Sequence, residues 1–133
     1  YLSINNQNVI RGIHFQLPPY DMIKLISVIK GSVLDLVIDL RKDSDSYLKL
    51  FTIELSAKKN KSLLIPQGIA HGFKTLEPDT IVLYNVTNSY NKQNDISIKY
   101  DSINFDWKLN NPIISDRDKN GIKLEDFIKV NPF

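Results

Sequence analysis

The chain has no cysteine, and histidine occurs only twice, at His14 and His71. The first absence excludes a disulfide framework and thiolate chemistry. The second places neutral-pH proton chemistry on two imidazoles, since histidine is the side chain whose unperturbed pKa lies in that range. Neither sign of charge dominates: 17 Lys and Arg stand against 15 Asp and Glu, for a formal net charge of +2. That balance gives no electrostatic footprint for nucleic acid, and the closest basic cluster, Lys58-Lys59-Asn60-Lys61, reads as a solvated turn. No run approaches the ~18 consecutive apolar residues of a membrane span, and no signal-peptide pattern is present. Nor is there a Gly-rich phosphate loop or a Gly-x-Ser-x-Gly elbow. A cytoplasmic setting fits the lack of cysteine.

What is present is the material of one β domain. The 133 residues, 42% of them hydrophobic, suffice for a single core spanning residues 1–133. The chain opens on Tyr1 rather than methionine, so residues 1–8 read as the edge of something longer. Ile, Val, Leu, Phe and Tyr recur in short runs broken by Gly, Pro, Asn and Asp. Strands are expected over 24–30, 33–40, 48–55, 62–65 and 81–87, with a weaker one over 95–100. In the second, Leu34, Leu36, Ile38 and Leu40 share one face, and Val33, Asp35, Val37 and Asp39 the other. Gly31-Ser32 reads as a hairpin turn. Short strands joined by turns predict an all-β fold, a jelly-roll barrel or sandwich. Nothing before residue 110 has a helical period, whereas Ser115-Asp116-Arg117-Asp118 fits a capped helix start.

Several residues could carry chemistry. His14, ten positions before Lys24, suits general acid–base work or a packed core position. His71 sits between Ala70 and Gly72, where small neighbours allow close backbone approach to a ligand or simply a tight turn. Asp35 needs a partner or a task if its face lines a barrel interior, and none if that face is solvated. Tyr84 shares a face with Val82 and Val86, as core, rim or acid. Asp118 favours a helix start. Metal-binding barrels of the cupin class show a His-x-His pair followed by a Glu. Here Phe15 and Gln16 follow His14, and none of the three glutamates (Glu54, Glu77, Glu125) follows either histidine closely. Two separated histidines could still join carboxylates around an ion.

Taken in order, several segments resemble one family. They are Arg11-Gly12-Ile13-His14-Phe15-Gln16, Lys24-Leu25, the run from Gly31 to Arg41, Leu55-Ser56-Ala57, the run from Ile65 to Phe73, Tyr84 with Thr87, Tyr90, and Ile114-Ser115-Asp116-Arg117-Asp118. The set is similar to the dTDP-4-dehydrorhamnose 3,5-epimerases, nucleotide-sugar epimerases of the cupin superfamily. The resemblance implies a cupin-type jelly roll with short C-terminal helices, acting as a homodimer without metal or cofactor. It implies a nucleoside-diphospho-4-keto-6-deoxysugar as substrate, epimerised at C3 and C5 in deoxysugar and polysaccharide biosynthesis. It also assigns roles: His14 as base, Asp118 as its partner, Lys24 beside the C4 oxygen and Tyr84 as opposite-face acid. Arg11, Gln16, Asp35, His71, Tyr90, Asp95 and Arg117 match positions around the sugar and diphosphate. Asp95 stands where glutamate is common, Arg117 where a lysine is, and Lys92 where a proline is frequent. The family's N-terminal segment, which carries a strand exchanged across the dimer and several nucleotide contacts, is absent from these residues. The alternatives are a C3-only epimerase, an enzyme for GDP- or CDP-sugars including heptoses, a catalytically silent binding cupin, and a metal-dependent cupin oxygenase.

Overall fold

The computed structural model describes residues 1–133. In chain order its elements are β1 (Leu2–Asn5), β2 (Val9–Gln16), β3 (Lys24–Lys30), β4 (Ser32–Asp39), β5 (Leu50–Ser56), β6 (Ser62–Ile65), β7 (Ile69–Thr75), β8 (Thr80–Val86), β9 (Asp95–Ser97), β10 (Ile113–Ile114), α1 (Asp116–Lys119) and α2 (Leu124–Val130). A four-stranded sheet runs β1-β8-β3-β6. A second sheet runs β10-β2-β7-β4-β5, with β9 also paired to β2. Together they form the jelly-roll barrel of the cupin class.

The strands carry two cores. Ile26, Val28, Val33, Leu55, Ile65, Phe73, Val82 and Tyr84 meet between the sheets. The opposite face of the larger sheet is apolar too, so leaving it bare would expose Ile10, Ile13, Phe15, Leu36, Ile38 and Leu40 to water. The C-terminal segment covers that face with Ile98, Ile103, Trp107 and Phe127. At about 25 cal/mol per Å² of apolar surface removed from water, this second layer stabilises the fold. It also carries α1 to the barrel mouth.

The structure revises several sequence expectations. Gly31-Ser32 is not a hairpin turn: β3 and β4 lie in different sheets, and Gly31, at φ +75°, takes the chain from one to the other. Strands β1, β2 and β7 form where only motifs or turns were read. The weak strand expected over 95–100 shortens to Asp95–Ser97. Its ladder with β2 ends at Ile98, which exchanges backbone bonds with Ile13, and Lys99 then turns to Ile122. α2 is among the short C-terminal helices that the resemblance implies, though no local pattern placed it; its apolar face, led by Phe127, lies on the second core. Both acids of the β4 face are buried rather than solvated. Asp39 accepts hydrogen bonds from Arg41, Ser44 and Ser46 and so ties down the turn toward β5.

Candidate active site

β2 builds the site by changing its pattern halfway along. Its register with β7 shifts between Arg11 and His14, which puts Ile10, Ile13 and Phe15 into the outer core and leaves Arg11, His14 and Gln16 facing the barrel cavity. Gly12 makes the shift possible. It sits at φ +116°, where side-chain-bearing residues are strained, and a Cβ there would lie 2.6 Å from the Gly72 Cα. The cavity holds about 740 Å³, and both sheets line it.

His14 is the strand's contribution to this cavity. Its Nε2 lies 2.5 Å from Asp118 Oδ1 on α1. Asp118 therefore does more than begin a helix: its N–H is capped by the Ser115 hydroxyl at 3.2 Å while its carboxylate turns to the imidazole. Gly12 N–H donates to Asp118 Oδ2 at 3.3 Å, and the Ser97 hydroxyl donates to Oδ1 at 3.0 Å. Burial pushes the Asp118 carboxyl up, but the His14, Gly12 and Ser97 hydrogen bonds outweigh it and hold the group below the usual carboxylate range. Burial pulls His14 below the ordinary histidine value against the pull of Asp118, so the imidazole is a free base at neutral pH.

Across the cavity, β3 and β8 supply Lys24 and Tyr84. Lys24 is buried, and its Nζ donates to the His14 carbonyl at 3.1 Å. Burial brings its ammonium down to about 8. Tyr84 is buried and its phenol is raised, chiefly by burial, so it holds its proton at neutral pH. Its ring stacks on Tyr1 at 4.6 Å. His14 and Tyr84 thus reach one cavity from opposite sheets, each in the protonation state its proposed task needs.

A second histidine–carboxylate pair lies deeper. His71 Nε2 is 2.8 Å from Asp35 Oδ2, with both side chains almost sealed from solvent. Asp35 Oδ1 has no protein partner. No three His, Asp or Glu side chains converge as a metal cage would require. The remaining expected residues divide. Arg11 lines the cavity, with its Nε on Asn5 Oδ1 at 2.5 Å. Asp95 and Arg117 pair with each other at the mouth, 2.5 Å apart. Tyr90 is exposed at the rim. Gln16 holds loops: it donates to the Tyr20 and Ser89 carbonyls and accepts from Asn91 N–H, which fixes the segment carrying Tyr90. Sequence reading missed Ser97 and Asn5, which act through residues it had found. The one signal for Ser97 was its place in a weak strand whose partner was unknown.

Fold and site together define a cupin-type barrel equipped for acid–base chemistry on a ligand held between its sheets. The family model described as dTDP-4-dehydrorhamnose 3,5-epimerase matches residues 1–126. The dTDP-4-dehydrorhamnose 3,5-epimerase of Shigella flexneri is 39% identical over 126 residues, covering 93% of this chain and 70% of the relative. The solved structure of the Bacillus anthracis enzyme, with TDP and pyrophosphate bound, superposes with a TM-score of 0.90 at 38% identity, covering 93% of this chain and 73% of that one. That of the Legionella pneumophila enzyme, in complex with dTDP-4-keto-L-rhamnose, gives 0.87 at 30% identity, covering 94% and 68%. The chain belongs to the dTDP-4-dehydrorhamnose 3,5-epimerase family.

Proposed function

We propose that this chain epimerises C3 and C5 of a nucleoside-diphospho-4-keto-6-deoxysugar, converting dTDP-4-dehydro-6-deoxyglucose to dTDP-4-dehydrorhamnose. The observation that carries the reading is the opposition of His14, paired with Asp118, to Lys24 and Tyr84 across one cavity. A C4 ketone acidifies the protons on its neighbouring carbons. His14, neutral and aimed by Asp118, takes one of them, and the bonding pair moves into an enolate with charge on the C4 oxygen. The Lys24 ammonium supports that charge inside a poorly solvated cavity, where it acts more strongly than in water. Tyr84 gives its proton to the same carbon from the other face, which inverts the centre and leaves a phenolate. Solvent then reprotonates the phenolate and takes the proton from His14. The second centre follows by the same steps.

In this reading Arg11 and His71, which line the cavity, meet the diphosphate and sugar, Asp35 holds His71 from behind, and Tyr90, Asp95 and Arg117 stand at the rim. The match to relatives solved with TDP or a dTDP-sugar favours a dTDP carrier. A homodimer belongs to the same proposal: Leu2, Ile4, Leu25, Ile29 and Leu64 expose an apolar outer face on the four-stranded sheet, a patch type that marks association surfaces. A cytoplasmic setting for deoxysugar biosynthesis completes it. No helix is long and apolar enough to cross a membrane.

Incubation with dTDP-4-dehydro-6-deoxyglucose in deuterium oxide, read by mass and NMR, is the direct test. Deuterium at C3 and C5 with inversion at both is expected. Incorporation at C3 alone identifies a C3 epimerase, and no incorporation ends the epimerase reading.

A further inference from the structure

One hydrogen bond in the site has no part in the proposed reaction. Ser97 lies directly opposite His14 in the β9–β2 ladder. Its hydroxyl donates to Asp118 Oδ1 at 3.0 Å, the same oxygen that His14 engages at 2.5 Å. Gly12 N–H takes the other oxygen, at 3.3 Å. The Asp118 side chain is 2% exposed. Three donors therefore converge on a carboxylate that water barely reaches. Ser97 does not line the substrate cavity; it borders the shallow cleft behind it, with Leu17, Phe127 and Val130.

We propose that Ser97 is a positioning residue of the base: it aims the Asp118 carboxylate and tempers its hold on the imidazolium, so that His14 returns to the free base between turnovers. Hydrogen bonds to a carboxylate favour its charged form, and a carboxylate oxygen already accepting from Ser97 is a weaker proton acceptor toward the imidazolium. Without that donor, Asp118 binds the imidazolium more strongly, and His14 becomes harder to deprotonate. Ser97 itself takes no proton. The other charged or titratable groups facing the ring are Arg117 beside Asp118 on α1, Lys24 on β3, His71 on β7, and Asp95, which pairs with Arg117, on β9; the Ser97 hydroxyl bonds to Asp118 and to none of these.

The inference rests on the reading of His14 as base, and the experiment separates the two. Deuterium uptake at C3 is followed against pH in the wild type and in Ser97→Ala, Ser97→Thr and His14→Ala, with KM measured alongside. In Ser97→Ala, kcat is expected to fall about tenfold, as for loss of one hydrogen bond to a charged group. KM stays unchanged because the hydroxyl is outside the substrate cavity, and the acid limb moves to higher pH. Ser97→Thr restores both. NMR titration of the His14 ring in ligand-free Ser97→Ala gives the same shift without any turnover. An acid limb that stays in place or moves down, in activity and in the ring titration, overturns the inference while leaving the base intact. Exchange surviving in His14→Ala overturns the underlying reading instead.

Discussion

His14 and His71 are register partners on β2 and β7, and each is held by a different carboxylate. They are neighbours with unequal access. The His14 side chain keeps 25% of its exposure beside Asp118, whereas His71 and Asp35 keep 4% and 0%. The first pair is the one that a ligand and solvent can both reach. The second is a fixed polar wall, and its unpartnered Asp35 oxygen faces a barrel interior that also holds Lys24. One sheet thus carries the titrating His14–Asp118 pair beside a second pair sealed from solvent.

The titrating pair can be tested by changing the carboxylate alone. Asp118→Asn keeps the shape but removes the charge that favours the imidazolium, so His14 falls further below its ordinary pKa. Steady-state rates should drop by about 10²–10⁴-fold, in the range that a positioned acid–base group contributes, with KM little changed. Near-normal turnover in this variant would remove Asp118 from the mechanism.

Tyr84 separates proton removal from inversion. Tyr84→Phe keeps the ring that stacks on Tyr1 and loses only the phenol proton. In deuterium oxide the variant should still exchange protons at C3 through His14, while inverted product falls far more steeply. Equal losses of exchange and inversion would show that the phenol serves binding rather than reprotonation.

Much of this was legible in the chain, and the limits are physical. The β4 alternation gave the correct faces because period 2 is local. It could not say that both faces are buried, since that depends on residues 98–133 folding back over the sheet. The Gly31 turn was misread because a hairpin and a sheet-to-sheet crossing have the same local chemistry and differ only in which strands they later meet. His14 and Asp118 are 104 positions apart, and no local rule pairs them; the resemblance supplied that link. Ser97 escaped because its importance arises wholly from standing across a ladder from His14.

Asp39 gives a prediction away from the site. Its buried carboxylate accepts from Arg41, Ser44 and Ser46, and the Arg41 guanidinium first among these holds it far below the usual range. A depressed carboxylate contributes stability above its unfolded pKa and loses it as pH falls toward the folded value. Asp39→Asn should therefore destabilise the wild-type fold by about 1–3 kcal/mol at pH 7, and the gap should narrow as the pH is lowered below 4. Thermal melts of both proteins across that range are the check, and kcat should stay at the wild-type value in material that remains folded.

Lys24 sets activity against stability. Its ammonium is brought down to about 8 by burial, so the folded protein disfavours the charged form that the enolate needs. The unfolded chain binds that proton up to its ordinary lysine value, and wild-type stability therefore rises with pH between about 8 and that value. Lys24→Met fills a similar volume without the charge. At pH 7 it should melt higher than the wild type, by an amount equivalent to roughly 1–3 kcal/mol, and the advantage should shrink by pH 10. Its turnover should be lost at every pH. In the wild type the same group predicts an alkaline fall in kcat/KM near pH 8, opposite an acid limb below the ordinary histidine value set by His14. If Lys24→Met melts lower than the wild type at pH 7, burial is not a net cost to the charged lysine, and the alkaline limb near pH 8 loses its physical basis.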